Sequence, residues 1–179
     1  MNELFYTEYG DFMKVEHTLK PIYHKDSKVL ILGSIPSVKS RQEKFYYAHP
    51  QNRFWKTLST IYEEKIPQTI DEKLSFLNKH HIALFDVIQS CTINGSSDSS
   101  IKDIIPNDLT PILMNSQIKA IFTTGKKAYS LYQKYIFPKT KINAIYLPST
   151  SPAHCRKGID QFLIQEYQKI KYYTNEIKK

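Results

Sequence analysis

Residues 28–55 hold the densest set of groups able to do chemistry. Tyr46, Tyr47, His49, Asn52 and Arg53 lie close together there, offering two rings that can stack, an imidazole, an amide and a guanidinium. A second set centres on Asp86, near the end of the apolar run 82–88, and continues into the hydroxyl-rich stretch 89–100. A third is Gly125 with Lys126 and Lys127 at the start of a candidate helix, where backbone N–H groups and two ammonium groups suit a phosphate. A fourth joins Ser149, Ser151 and Pro152 to His154, Arg156 and Lys157. Together these groups can grip a phosphate backbone and accept a flat ring between aromatics. The chain has no Ser-His-Asp order, no GxxxxGK[ST], no GxGxxG and no HExxH, which argues against a nucleotide-cofactor enzyme and a zinc peptidase.

Elements must bring these sets together. The run 28–33 is apolar and stops abruptly at Gly33, Ser34 and Pro36, as a buried parallel strand does before a loop. Further strands are predicted at 82–88, 119–125 and 142–147. Helical spacing predicts helices over 53–64 (Phe54, Trp55, Leu58, Ile61 and Tyr62 inward), 71–80 (Leu74 and Leu77 inward), 106–116 and 126–136. A closing helix is expected within 158–178, with Phe162, Ile164, Tyr167 and Ile170 inward. Residues 1–27 read as an entry arm with one short helix. The stretch 89–100 reads as a polar loop, either a flexible linker or part of a site.

Alternating strands and helices imply right-handed crossovers. The expectation is an α/β chain: a three-layer α/β/α sandwich with a central, mostly parallel four-stranded sheet, as one domain over 1–179. Loops 33–51, 86–100, 124–127 and 147–157 then meet at the carboxyl edge of the sheet, where open α/β sheets bind ligands.

Lys and Arg outnumber Asp and Glu by 25 to 17, a net charge of +8. A surplus of that size fits solubility charge, a membrane surface or nucleic acid, and thirteen tyrosines favour the last, since rings stack on bases. The two cysteines, Cys91 and Cys155, stand far apart without a CxxC neighbour, so no metal or iron–sulfur site is expected. A reduced, cytoplasmic compartment fits them. No signal-peptide pattern and no apolar run near ~18 residues is present, so no membrane span is expected.

Several strings carry a family likeness: Leu32 to Ser37 (LGSIPS), Tyr46 to Trp55 (YYAHPQNRFW), Leu84 to Ile88 (LFDVI), Gly95 to Ser99 (GSSDS) and Leu147 to Ala153 (LPSTSPA). In this order the chain resembles the uracil-DNA glycosylase superfamily, in particular its hypoxanthine (deoxyinosine) branch. HPxNRFW is also similar to the mismatch-specific branch. Many superfamily members place Asn or Asp in the first motif to position water, as in GxNPG or GQDPY. Here Ser34 and Ile35 occupy that stretch, and the resemblance implies that Asn52 takes over, although a helix cap is an equal reading of Asn52. Where well-known members carry His or Asn in the second motif, this chain has Ser149.

The resemblance implies a monofunctional DNA glycosylase without a cofactor, working as a monomer on DNA that contains a deaminated base. Hypoxanthine comes first, with uracil or mismatched thymine as the alternative substrate and a non-catalytic nucleic-acid module as the alternative class. The base is flipped into a pocket because it cannot be reached in the stack. Tyr47 is expected to stack on it, unless it is merely a core or surface tyrosine. Backbone N–H groups near Gly33, Ser34 and Tyr47 face the departing purine's charge. Asp86 either reads a ring N–H or orients the first loop. Ser97 (with Asp98) and Ser149 border the base. Ser151 and Pro152 press on phosphates, His154 and Arg156 flank the minor groove, and Lys126 and Lys127 add sequence-independent affinity.

Overall fold

The computed structural model describes residues 12–94 and 100–174. Four strands form a fully parallel sheet: β2 (Val29–Gly33), β3 (Ile82–Asp86), β6 (Ala120–Thr124) and β7 (Ala144–Leu147), in the order β3-β2-β6-β7. The composition explains the order. Val29 to Gly33 and Ile82 to Asp86 are buried at every position, as strands covered on both faces must be. Ile145 and Tyr146 of β7 are only partly covered, as suits the edge. The opposite edge, β3, is shielded by a bridge between Ile22 and Leu84.

The chain leaves β2 for β3 on one side and then crosses to β6 on the other. Gly33 therefore ends β2 at the point where the winding reverses, the place where such sheets open a crevice. Right-handed crossovers running in opposite directions put helices on both faces. The β2–β3 crossover holds α1 (Val38–Gln42), α2 (Phe54–Ile61) and α3 (Ile70–Lys79). Phe54, Trp55, Leu58 and Ile61 of α2 form its buried stripe, each such side chain contributing roughly 1.5–3 kcal/mol. A capping box between Thr69 and Glu72 starts α3. The β6–β7 crossover runs through α5 (Lys126–Leu131), a π-helical turn (Tyr132–Ile136) and α6 (Phe137–Thr140). At the carboxyl end, α7 (Ile159–Tyr167) packs on α2 and α8 (Lys169–Thr174) packs on β2.

Three expectations are corrected. The entry arm carries a strand, β1 (Phe12–Glu16), in place of a helix. The stretch 89–100 is no free loop: β4 (Ile88–Asn94) occupies most of it, with Ile88, Ser90, Cys91 and Ile93 buried. The predicted helix at 106–116 shrinks to α4 (Thr110–Met114), because Lys102–Pro106 forms β5. These three strands make a second, antiparallel sheet, β1-β4-β5. Its pairing partners are distant in the chain, and Ser and Cys stand at its buried positions, so the local signal was weak. Leu74 also turns outward, while Phe76 joins Leu77 in the core.

Candidate active site

The carboxyl ends of the four parallel strands open into a cavity of about 540 Å³, within the range of ligand pockets. Gly33, Ser34, Tyr47, Asn52, Asp86, Lys126, Lys127, Ser149 and Ser151 all line it. Nine of the residues singled out from the sequence thus meet on one face, drawn from all four strand-end loops.

The floor is built by β2, β3 and the second sheet. Asp86, 3% exposed, lies against Gly33, whose backbone N–H favours the charged carboxylate, and a Cβ at position 33 would collide with its Oδ1. Only glycine lets the first loop close on the carboxylate. Of the two readings of Asp86, the loop-orienting contact is present, and the side chain also borders the cavity. Its Oδ2 lies 2.8 Å from Nε2 of His17. Burial pushes the Asp86 carboxyl above its usual range; the His17 hydrogen bond, the His17 charge and the Gly33 N–H act against that.

Tyr47 forms the aromatic wall. Its ring stacks on Phe54 with centroids 3.7 Å apart and planes 11° from parallel, and its hydroxyl is 3.3 Å from Thr124 Oγ1. One ring face is therefore backed by the core. The residue adopts a left-handed φ of 53°, which costs a non-glycine residue roughly 1–3 kcal/mol and is held by these contacts. Burial, and then the charge of Asp86, raise the phenol well above its ordinary value, so the ring stays neutral.

Asn52 accepts the Phe54 N–H at 2.9 Å through Oδ1, the bond that starts α2. Arg53 stands at the N-cap position of α2 and makes no side-chain cap bond, so Asn52 covers the first helical amide from one residue earlier, and it also lines the cavity. Beside it, Arg53 clamps the fourth loop: its N–H donates to the Thr150 carbonyl at 3.0 Å, its guanidinium donates to the Ser151 carbonyl at 3.1 Å, and it pairs with Asp160 at 3.4 Å. The Tyr167 hydroxyl donates to the Pro148 carbonyl from below. Ser149 Oγ accepts the Ser151 N–H at 3.2 Å. Gly125, at φ 88°, packs against Ser149, where a Cβ would sit a tight 3.3 Å from Ser149 Cβ.

Pro152, His154 and Arg156 belong to the same loop but do not line the cavity. His154 is half-buried, and its Nδ1 lies 2.8 Å from the Ser149 carbonyl, stapling the loop. Arg156 is exposed and sits over the Phe162 ring, 4.2 Å from its centroid. Ser97, with Asp98 and the GSSDS string, lies outside the described residues. The wall is cationic: among the described residues Arg41, Lys126 and Lys127 line it against one acid, Asp86. Among the described residues no group of three or more His, Cys, Asp or Glu could hold a metal ion, and no helix is long and apolar enough to cross a membrane.

Sequence reasoning missed His17 and Thr124 as parts of the site and did not foresee Arg53 as a clamp. Arg53 stood inside a quoted motif and could have been found. His17 carried no local signal, since only the pairing of β1 with β4 brings it to Asp86.

Comparison with known proteins fits this geometry. The family model described as the uracil DNA glycosylase superfamily matches residues 21–170. A Methanosarcina acetivorans protein named hypoxanthine DNA glycosylase is 32% identical over 139 residues, 75% of this chain and 85% of that protein. A Methanosarcina barkeri protein of the same name is 33% identical over 111 residues, 60% of this chain and 70% of that one. Among solved structures, the NMR structure of a Methanosarcina acetivorans protein assigned to the uracil DNA glycosylases has a TM-score of 0.73 at 25% identity. The match covers 89% of this chain and 99% of that one.

Proposed function

The chain belongs to the uracil DNA glycosylase superfamily, and from that footing we propose that it is a monofunctional DNA base-excision glycosylase. It turns a deaminated base, hypoxanthine foremost, out of the duplex and hydrolyses its N-glycosidic bond to leave an abasic site. The observation that carries this reading is the convergence of four strand-end loops on one cavity with an aromatic wall, a polar floor and a cationic rim. The names of the two curated relatives favour hypoxanthine over uracil. We read the protein as a monomer acting on DNA, as the family likeness implies.

The geometry supports each role. A purine slides onto the free face of Tyr47, extending the Phe54–Tyr47 stack to three layers. The sugar loses the base through an oxocarbenium-like state, and negative charge gathers on the departing purine. The amides of Ser34 and Tyr47, which donate to no other group among the described residues, border the cavity as fixed dipoles for that charge. Asn52 keeps one Oδ1 lone pair and its NH2 beyond the cap bond, enough to hold a water. An amide is a weak base, which suffices when bond cleavage runs ahead of attack and positioning matters most. Lys126, Lys127 and the 149–156 loop hold the phosphates beside the lesion.

The test is incubation with labelled duplexes carrying one inosine, uracil or xanthine, followed by alkali. Strand breaks only after alkali, fastest with inosine, are expected. Fastest cleavage of uracil would assign the uracil specificity instead. Shifted bands without abasic product would reduce the protein to a binding module.

A further inference from the structure

His17 is remote from every motif quoted above, yet it hydrogen-bonds Asp86, the one acid lining the cavity among the described residues. Its side chain is 2% exposed and that of Asp86 5% exposed. A histidine and a carboxylate withdrawn together from water at 2.8 Å are costly unless each satisfies the other. The His17 backbone is anchored as well, its N–H donating to the Gln89 carbonyl at 2.7 Å. Its ring meets the edge of Phe85, with centroids 5.0 Å apart. The second sheet therefore delivers an imidazole to a fixed point behind the floor of the cavity.

The contacts on Asp86 leave a specific remainder. His17 occupies one lone pair of Oδ2. Gly33 packs on Oδ1, and its N–H favours the charged carboxylate. An ionised carboxylate has about four lone-pair sites and accepts only. Asp86 lines the cavity, and the lone pairs left over repel an acceptor on an incoming base. Hypoxanthine, xanthine and uracil present a ring N–H on the pairing edge, whereas adenine presents a bare ring nitrogen there.

We propose that His17 is a positioning residue. By holding Asp86 in place as a pure acceptor, it makes the cavity select bases with a ring N–H over adenine. This deepens the glycosylase reading and rests on it. The other titratable or charged groups near Asp86 are Tyr46 and Tyr47, beside it in the first loop, and Arg41, Lys126 and Lys127 on the cavity wall. Without His17, the buried carboxyl loses its main opponent of protonation. A protonated Asp86 would present an O–H that adenine can accept.

The experiment compares wild type with His17→Leu and His17→Gln; the Gln variant keeps an N–H donor without the charge. Folding is checked by circular dichroism. Excision rates on inosine and adenine duplexes are measured across pH, and the Asp86 carboxyl is titrated by carbon NMR in DNA-free protein. His17→Leu should lose about tenfold or more on inosine, the size of a lost hydrogen bond to a charged group. Its acid limb and the Asp86 titration should move up by about one pH unit, and the inosine-to-adenine ratio should fall. His17→Gln should lie between the two proteins. A folded His17→Leu with unchanged titration, pH profile and base ratio would overturn the inference. Absence of excision by wild type would overturn the glycosylase reading instead, and the titration would still decide whether His17 controls Asp86. Should His17→Leu not fold, His17→Gln alone carries the test, and no change in its profile or titration counts against the proposal.

Discussion

Asn52 has one observed contact and one proposed task, and the two can be separated. Its Oδ1 accepts the Phe54 N–H at the start of α2, while the residue borders the cavity. Asn52→Ala removes both and should cost about 1 kcal/mol of stability through the lost cap and roughly 100-fold or more in excision rate through the lost water site. Asn52→Asp keeps the capping acceptor, so its melting temperature should stay near wild type. Thermal melts and single-turnover excision on inosine duplexes check both. Equal loss of lesion-free DNA binding in Asn52→Ala would mark the residue as a cap alone. Tyr47 shows the same economy: the strained φ of 53° and the Phe54 stack present one face of its ring to the cavity.

At the scale of elements, the site is only as firm as the contacts between loops. The 148–154 loop has no regular structure of its own and is held by Arg53, Tyr167 and the His154 staple. Gly125 lets it approach the start of α5, because position 125 is left-handed and faces Ser149 Cβ. Gly125→Ala therefore meets both backbone strain and a crowded neighbour. It should destabilise the fold by about 1–3 kcal/mol and speed amide exchange across 148–154. Denaturant melts and hydrogen exchange test this. Exchange confined to α5, with the loop unchanged, would show that Gly125 serves the helix rather than the loop.

For the molecule as a whole, charge and topology act together. The net charge of +8 steers the chain toward a polyanion, and the cations lining the cavity, Arg41, Lys126 and Lys127, place part of that field at the carboxyl edge of the sheet. Replacing Lys126 and Lys127 by Ala should weaken binding to all duplexes alike and flatten the dependence of log Kd on log salt by roughly two units of slope, about one per phosphate contact. Binding titrations at several salt concentrations measure it. Weakening confined to lesion-bearing duplexes would place the two lysines in base recognition instead.

Much of this organisation was legible in the residues. The parallel strands showed because apolar runs such as Val29 to Leu32 have no solvent face to reconcile. The loops showed because Gly, Pro and Ser end those runs, and the motifs fell on them. Asp86 and Tyr47 could be singled out from their places after apolar runs together with the family strings that hold them. Their detailed tasks could not, since whether Asp86 touches Gly33 or Tyr47 stacks on Phe54 depends on packing between segments. The second sheet and His17 were hidden for a stronger reason. A short run near the N-terminus pairs with strand Ile88–Asn94 far along the chain, and no local propensity encodes such a partner. The amino-acid order therefore determined the parallel sheet and the edge at which chemistry gathers. Only the folded chain decided which buried imidazole stands behind the acid, because that choice is made by long-range hydrogen bonding and the exclusion of water.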